Sequence, residues 1–321
     1  MRSFEMWMDH AGRQWSQFWF RRPCLANLAF LRMATGLMWF YALSAYTLDL
    51  SAHLGSHGWA NPEDLAGSSP FVWSFSAFHW VNSLWWWWFV HLSALLTASA
   101  LILGIHPTIS GLLSLFFHLS YMHRNPVVVL EMDHLITFAL VYTTLAPTAR
   151  QFAIDPLFRT GQFRYSWEDV NPIQDSEWGS LILRLMQIHL CLLYVHAALA
   201  KMDPSWLSGA SLTHPRLEQR GFPLGWEWMT ASPEWTVLFS YGLVIWMLLY
   251  PVLIWVPRLR TPLVTFSILL HVVVGVVWGQ LAFNLMMAAL NTMFFPPEWV
   301  VRAKNEVREA LGMPWFPSGH P

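Results

Sequence analysis

The sequence predicts an all-α fold, a polytopic membrane helical bundle of about eight transmembrane helices with an N-terminal amphipathic interfacial helix. Three observations predict it. Of the 321 residues, 55% are hydrophobic and only 12% charged, about half the charge of a soluble domain. The 22 tryptophans suit a chain with many membrane–water boundaries, where an indole settles at headgroup level. Eight mostly apolar runs approach the roughly 20 residues needed to cross the hydrocarbon.

In residues 1–22, Phe4, Trp7, Met8, Ala11, Trp15, Phe18 and Trp19 recur at steps of three and four, the stripe of one helix face. This segment reads as an interfacial helix on the inner leaflet, or alternatively as one packed on cytoplasmic loops. A membrane domain is expected over 23–300, with spans near 26–48, 83–103, 108–122, 127–145, 181–200, 234–256, 260–279 and 281–296. The third is short, the last two nearly touch, and the eighth could be partly re-entrant. The outer segment Asp49–Asn82 and the inner segment Thr148–Gly179 are polar and contain prolines, and residues 301–321 form a tail.

Orientation follows from the excess of Lys and Arg in cytoplasmic loops. With the N-terminus inside, the outer segments hold only Arg124, Lys201, Arg216 and Arg220, while Arg32 and Arg184 fall within spans. The other twelve of eighteen are then inside, so both termini are expected to be cytoplasmic. A net charge of -1 gives no reason to expect a nucleic-acid partner. Two cysteines, Cys24 and Cys191, make no disulfide framework, and no cleavable leader pattern precedes the first span. Soluble-enzyme signatures such as a phosphate-cradling Gly-rich loop, H-E-x-x-H or C-x-x-C are missing from the sequence, so any chemistry is expected from the spans.

Ionisable groups inside a span cost several kcal/mol on insertion scales, which makes each a site candidate. The fourth run carries Glu131, Asp133 and His134. With a helix starting near Pro126, His134 would lie ~12 Å deep, sharing a face with Glu131 at i, i+3. The bland reading is a Glu at the interface and a His bonded to neighbouring backbone. The fifth run places Arg184, Gln187, Cys191, Tyr194, Ala198 and Lys201 on one arc of ~100°, a polar stripe facing protein. Lys201 ends it on the outer side, where a lone Lys would ordinarily snorkel to water.

His189 and His196, seven apart on the opposite arc, have the spacing of stacked metal or haem ligands. No second pair matches them: His118 and His123 are five apart and His271 stands alone, so no metal site is assigned. His271, in the seventh run, reads equally as a site residue or as structural. Asn284 and Asn291 in the eighth read as interhelical glue, worth ~0.6 kcal/mol per bond, with Asn284 retained as a pocket candidate.

Four stretches of this sequence resemble the membrane domain of vitamin K-dependent γ-carboxylase and of bacterial proteins named for that horizontally transferred transmembrane domain (HTTM). They are Leu31-Arg32-Met33-Ala34-Thr35-Gly36, then Asp133-His134, then Ala198-Leu199-Ala200-Lys201-Met202-Asp203-Pro204-Ser205-Trp206-Leu207-Ser208-Gly209, and last the stretch from His271 to Phe294-Phe295-Pro296-Pro297-Glu298-Trp299. The third is the most specific, matching a Lys-hydrophobic-Asp-x-x-Trp-x-x-Gly segment.

The resemblance implies that Lys201 is the base that deprotonates reduced vitamin K or a menaquinol, and that His134 holds its amine neutral. It implies further that oxygen adds to the quinolate, that the oxygenated product strips a proton from a substrate carbon, and that CO2 captures the carbanion. The expected pocket adds Glu131, Asp133, Gln187, Tyr194, Asp203, Trp206, His271 and Asn284, reached by the quinol from membrane lipid. Physics agrees with such a base, since only desolvation brings a Lys from ~10.4 toward neutrality. The resemblance also places the chain in a bacterial cytoplasmic membrane.

Two departures stand out. The carboxylase has a second Lys beside the base, where this chain has Ala200. The family's large extramembrane domain, which holds the protein substrate, is not expected after Trp299. The resemblance therefore implies quinol oxygenation more directly than peptide carboxylation, which would need a separately encoded partner in place of that domain and a separate protein or peptide as substrate. Two other classes of function remain open on the residues alone: a non-enzymatic binder or transporter with a polar intramembrane pathway, and a haem-binding redox protein using His189 and His196.

Overall fold

The computed structural model describes residues 2–20, 25–55, 75–148, 153, 176–212 and 232–296, with single helical positions at 302, 306 and 309. Among these residues the chain is helical and without strands. The helices are α1 (Arg2–Phe20), α2 (Leu25–Leu48), α3 (Leu50–Leu54), α4 (Leu84–Leu103), α5 (Pro107–Arg124), α6 (Glu131–Leu145), α7 (Glu177–Ala200), α8 (Pro204–Leu207), α9 (Pro233–Leu253), α10 (Pro257–Val277) and α11 (Leu281–Asn291). Four of them, α5, α8, α9 and α10, open on a proline. Its missing N–H is no loss in a first turn, and its fixed φ suits the helix.

Each of the eight expected runs falls on a helix. Five are long and apolar enough to cross a membrane: Ala26–Leu48, Leu84–Leu103, Glu177–Ala200, Pro233–Leu253 and Pro257–Val277. The other three are limited by length or polarity. Helix α6 has 15 residues, about 22 Å of rise against a ~30 Å hydrocarbon core. The apolar stretch Leu281–Phe294 is shorter still, and α5, at 18 residues, includes Ser110, Ser114, Ser120, His118 and Arg124. The chain is a polytopic membrane bundle with five such spans among the described residues, and the expected count of eight is not reached on these measures.

Most of segments 49–82 and 148–179 lies outside the described residues, as do Cys24, residues 297–299 and nearly all of 301–321. Helix α1 forms where the stripe predicts it, with Trp15 exposed and its ring 5.6 Å from that of Trp19.

The chain divides into two compact units, Met1–Ile182 with Pro297–Pro321, and Leu183–Pro296. In the first, α2 packs on α4 and α6, α4 on α5, and α5 on α6, which closes a ring of four helices. Leu28, Leu31, Trp39, Leu43, Leu101, Ile136 and Leu140 fill its interior. Arg32 is fully buried there and donates from Nη1 to the Thr148 carbonyl at 3.0 Å, answering a backbone acceptor just past the end of α6. Gly104 makes room for it. This residue ends α4 at φ +70°, and a Cβ there would come within 2.9 Å of the Arg32 guanidinium and 2.7 Å of the Ala153 backbone.

In the second unit α10 and α11 form a close hairpin, α9 packs on α10, and α8 packs on α9. Its outer faces carry exposed Leu192, Leu238 and Leu269. Such leucines are at home against lipid tails, which are as apolar as they are.

Candidate active site

The Lys201 segment is built from local rules. Helix α7 ends at Ala200, and Lys201 follows in a tight turn, its N–H donating to the Ala198 carbonyl at 3.0 Å. Asp203 then starts α8: its Oδ1 accepts from the backbone N–H of Ser205 at 2.9 Å and of Trp206 at 3.2 Å, and from the Ser205 hydroxyl. This is a helix N-cap. The donated hydrogen bonds, chiefly from Ser205 and Trp206, hold the Asp203 carboxyl below the usual carboxylate range.

Trp206 is thereby set under the lysine, with Nζ 4.9 Å from the ring centroid. Gly209 closes the segment at φ +79°, where a Cβ would meet the Thr236 hydroxyl of α9 at 2.6 Å. Lysine, aspartate, tryptophan and glycine of the motif thus each have a separate mechanical reason for their spacing.

The stripe on α7 faces protein as the periodicity predicts. Gln187, Cys191, Tyr194 and Ala198 are buried, whereas His189 and His196 on the opposite arc are exposed. Gln187 accepts from Arg184 at 2.9 Å and donates to the Met293 carbonyl at 2.8 Å. Cys191 is a buried, free thiol.

Two turns before Lys201, Tyr194 lies in a hydrogen-bonded chain whose direction the partners fix. The Asn284 amide nitrogen donates to the Gln280 carbonyl at 3.0 Å, so its Oδ1 accepts from His271 Nδ1–H at 2.9 Å. His271 is then an acceptor at Nε2, and Tyr194 donates to it at 2.8 Å. With its only proton committed, Tyr194 oxygen accepts from Ser267 at 2.9 Å and from the Asn291 amide at 3.0 Å. Asn291 in turn accepts from Tyr250. One network therefore ties α7, α9, α10 and α11, and both asparagines bond across helices.

In the first unit, Glu131 and His134 share an exposed face of α6, while Asp133 is buried. The expected depth of His134 assumed a helix running from Pro126, but α6 begins at Glu131. His134 therefore stands three residues into the helix, ~4.5 Å of rise. The reason is Asp133, whose Oδ2 accepts from the Leu130 N–H at 2.8 Å and fixes the start. Asp133 caps a helix end, and its backbone carbonyl accepts from His118 at 2.9 Å.

A family model, the HTTM domain, matches residues 20–299. The chain belongs to the HTTM family. The HTTM domain is the membrane domain family of vitamin K-dependent carboxylase-like proteins, and the match covers most of this chain. No curated protein and no solved structure matches it.

Of the ten candidate residues, the second unit of this HTTM chain links Tyr194, His271 and Asn284 in one network and gathers Lys201, Asp203 and Trp206 at the end of α7. Gln187 bonds separately with Arg184 and Met293. Glu131, Asp133 and His134 belong to the first unit. The described residues hold no cluster of three or more His, Cys, Asp and Glu that could bind a metal.

Sequence reasoning passed over Ser267 and Tyr250, which complete the Tyr194 network. It also passed over a second tyrosine–histidine pair, Tyr121 and His91, both buried in the first unit. The usable signals were Ser267 four residues before His271 on α10 and an ionisable His91 within an apolar run.

Proposed function

We propose that this chain is a membrane enzyme that takes a reduced quinone and oxygen as co-substrates, with Lys201 as the base, to drive proton abstraction from a partner substrate and, with CO2, its carboxylation. The observation that carries the reading is the Lys201 segment. In a chain of the HTTM family, the motif lysine is half-buried at the end of a polar stripe, with an aromatic ring against its amine. Its surroundings fit a prenylated aromatic quinol: Leu199 and Met202 are exposed apolar neighbours, and Trp206 offers a flat face.

A quinolate, once formed, supplies the reactivity toward oxygen. The residues of the chain hold and move the proton. Lys201 Nζ accepts it, for which the amine must first be neutral. Tyr194 and His271, on the buried side of the stripe, form a fully hydrogen-bonded wall that keeps water out. The quinol is a menaquinol or phylloquinol arriving from lipid, and the protein or peptide to be modified is a separate chain meeting the site on the outer side of a bacterial cytoplasmic membrane.

The test is purified protein in lipid nanodiscs with a menaquinol or phylloquinol, oxygen and labelled bicarbonate, analysed for quinone epoxide and for fixed label. Epoxide is expected from the wild type. Lys201→Ala is expected to insert and melt normally and to lose at least a hundredfold in epoxidation, the usual scale for a general base. An undiminished rate removes Lys201 from the mechanism. Epoxide without fixed label would separate oxygenation from carboxylation.

A further inference from the structure

The Lys201 segment contains a feature that a base at rest explains and a base in action does not. An indole face attracts a charged ammonium, and 4.9 Å from Nζ to the Trp206 centroid is within the ~6 Å over which that attraction operates. A neutral amine gains no comparable benefit. The backbone carrying the ring is fixed at both ends, by the Asp203 cap before it and by Gly209 against Thr236 after it. The indole itself is not tied in the same way, because its buried N–H has no hydrogen-bond partner among the described residues. Rotation of the side chain therefore breaks no hydrogen bond to a described residue, and a new oxygen acceptor beside it would gain one.

We propose that Trp206 is a positioning residue that latches Lys201 in its charged form at rest and gives up the amine when a quinol ring enters. This rests on the function proposed above for its second half, the opening by quinol, and on geometry alone for its first. The latch keeps the base from acting without its co-substrate, and the entering oxygen of the quinol supplies an acceptor for the indole N–H.

The sequence makes the test clean, because it contains only two lysines, Lys201 and Lys304. Full-length protein in nanodiscs is pulse-labelled with acetic anhydride from pH 6 to 11, and each lysine peptide is quantified by mass spectrometry. Lys304 is the internal standard. The pH midpoint of Lys201 labelling reports its charge, whereas the plateau rate reports access. In Trp206→Leu the midpoint is expected to fall by about one pH unit, a tenfold change in the charge equilibrium on the scale of a partly desolvated ring contact. Trp206→Phe, which keeps a weaker ring, is expected to fall by less and guards against misfolding of the leucine variant. Adding oxidised phylloquinone, which cannot be deprotonated, is expected to lower the wild-type midpoint toward that of Trp206→Leu.

Identical midpoints in all three proteins would overturn the latch, as would a rise in either variant. A fall in Trp206→Leu together with a wild type unmoved by phylloquinone would uphold the latch and reject the quinol as what opens it. In quinol turnover, Trp206→Leu is expected to move the acid limb of the kcat/KM profile to lower pH, a change that a merely structural tryptophan would not produce.

Discussion

Each unit of this chain buries a tyrosine that donates its hydroxyl proton to a histidine, yet the two pairs are supported differently. In the first, Thr47 spends its proton on the Leu43 carbonyl at 2.9 Å and so accepts from His91 Nε2–H at 2.8 Å, which leaves Nδ1 to accept from Tyr121. The ring of Tyr121 is enclosed by Trp39, Tyr46 and Phe78 at 4.7 to 5.6 Å between centroids. In the second, Tyr194 bonds to His271, Ser267 and Asn291. One pair is held mainly by packing and the other mainly by hydrogen bonds. The polar atoms of a buried pair can be satisfied with a single hydroxyl behind the histidine, so the extra donors around Tyr194 serve to join four helices rather than to satisfy one tyrosine.

The comparison can be broken by phenylalanine substitution. Tyr194→Phe removes three hydrogen bonds and should cost about 2 kcal/mol at the ~0.6 kcal/mol typical of interhelical bonds in membranes, read as loss of unfolding free energy in mixed micelles. Tyr121→Phe removes one and keeps its aromatic enclosure, so about 0.6 kcal/mol is expected. Equal losses would mean that the two pairs do not differ as described.

A smaller effect sharpens the contrast between two capping carboxylates, the buried Asp133 and the exposed Asp203. Hydrogen bonds depress the folded Asp203 carboxyl below its unfolded value. Its cap is therefore complete above pH ~3.9 and is lost as pH falls through the lower, folded value. Hydrogen exchange at the Ser205 and Trp206 amides should quicken in that acid window in the wild type. In Asp203→Asn it should show no such step.

The helices were legible because apolar runs of this length have few alternatives, and the inward stripe of α7 was legible because its polar residues keep helical spacing. Gln187 and Tyr194 are buried, and His189 and His196 exposed, on the arcs that spacing assigns. Asp133 was harder. An aspartate capping α6 and one placed for chemistry look alike in a sequence, because what separates them is the Leu130 N–H it accepts from. The Tyr194 network was half legible: His271 and the asparagines stand out in apolar surroundings, whereas Ser267 and Tyr250 are unremarkable until α10 and α9 are brought against α7. The contact of Trp206 with Lys201 depends on a short turn and a four-residue helix, which no periodicity announces.

The chain from Tyr250 through Asn291, Tyr194, His271 and Asn284 to the Gln280 carbonyl donates in a single direction throughout. Reversing it would demand that two carboxamides flip and one imidazole change tautomer together. A proton entering at Tyr250 would therefore have only one sense in which to be passed along these donors, toward the Gln280 carbonyl in the turn between α10 and α11.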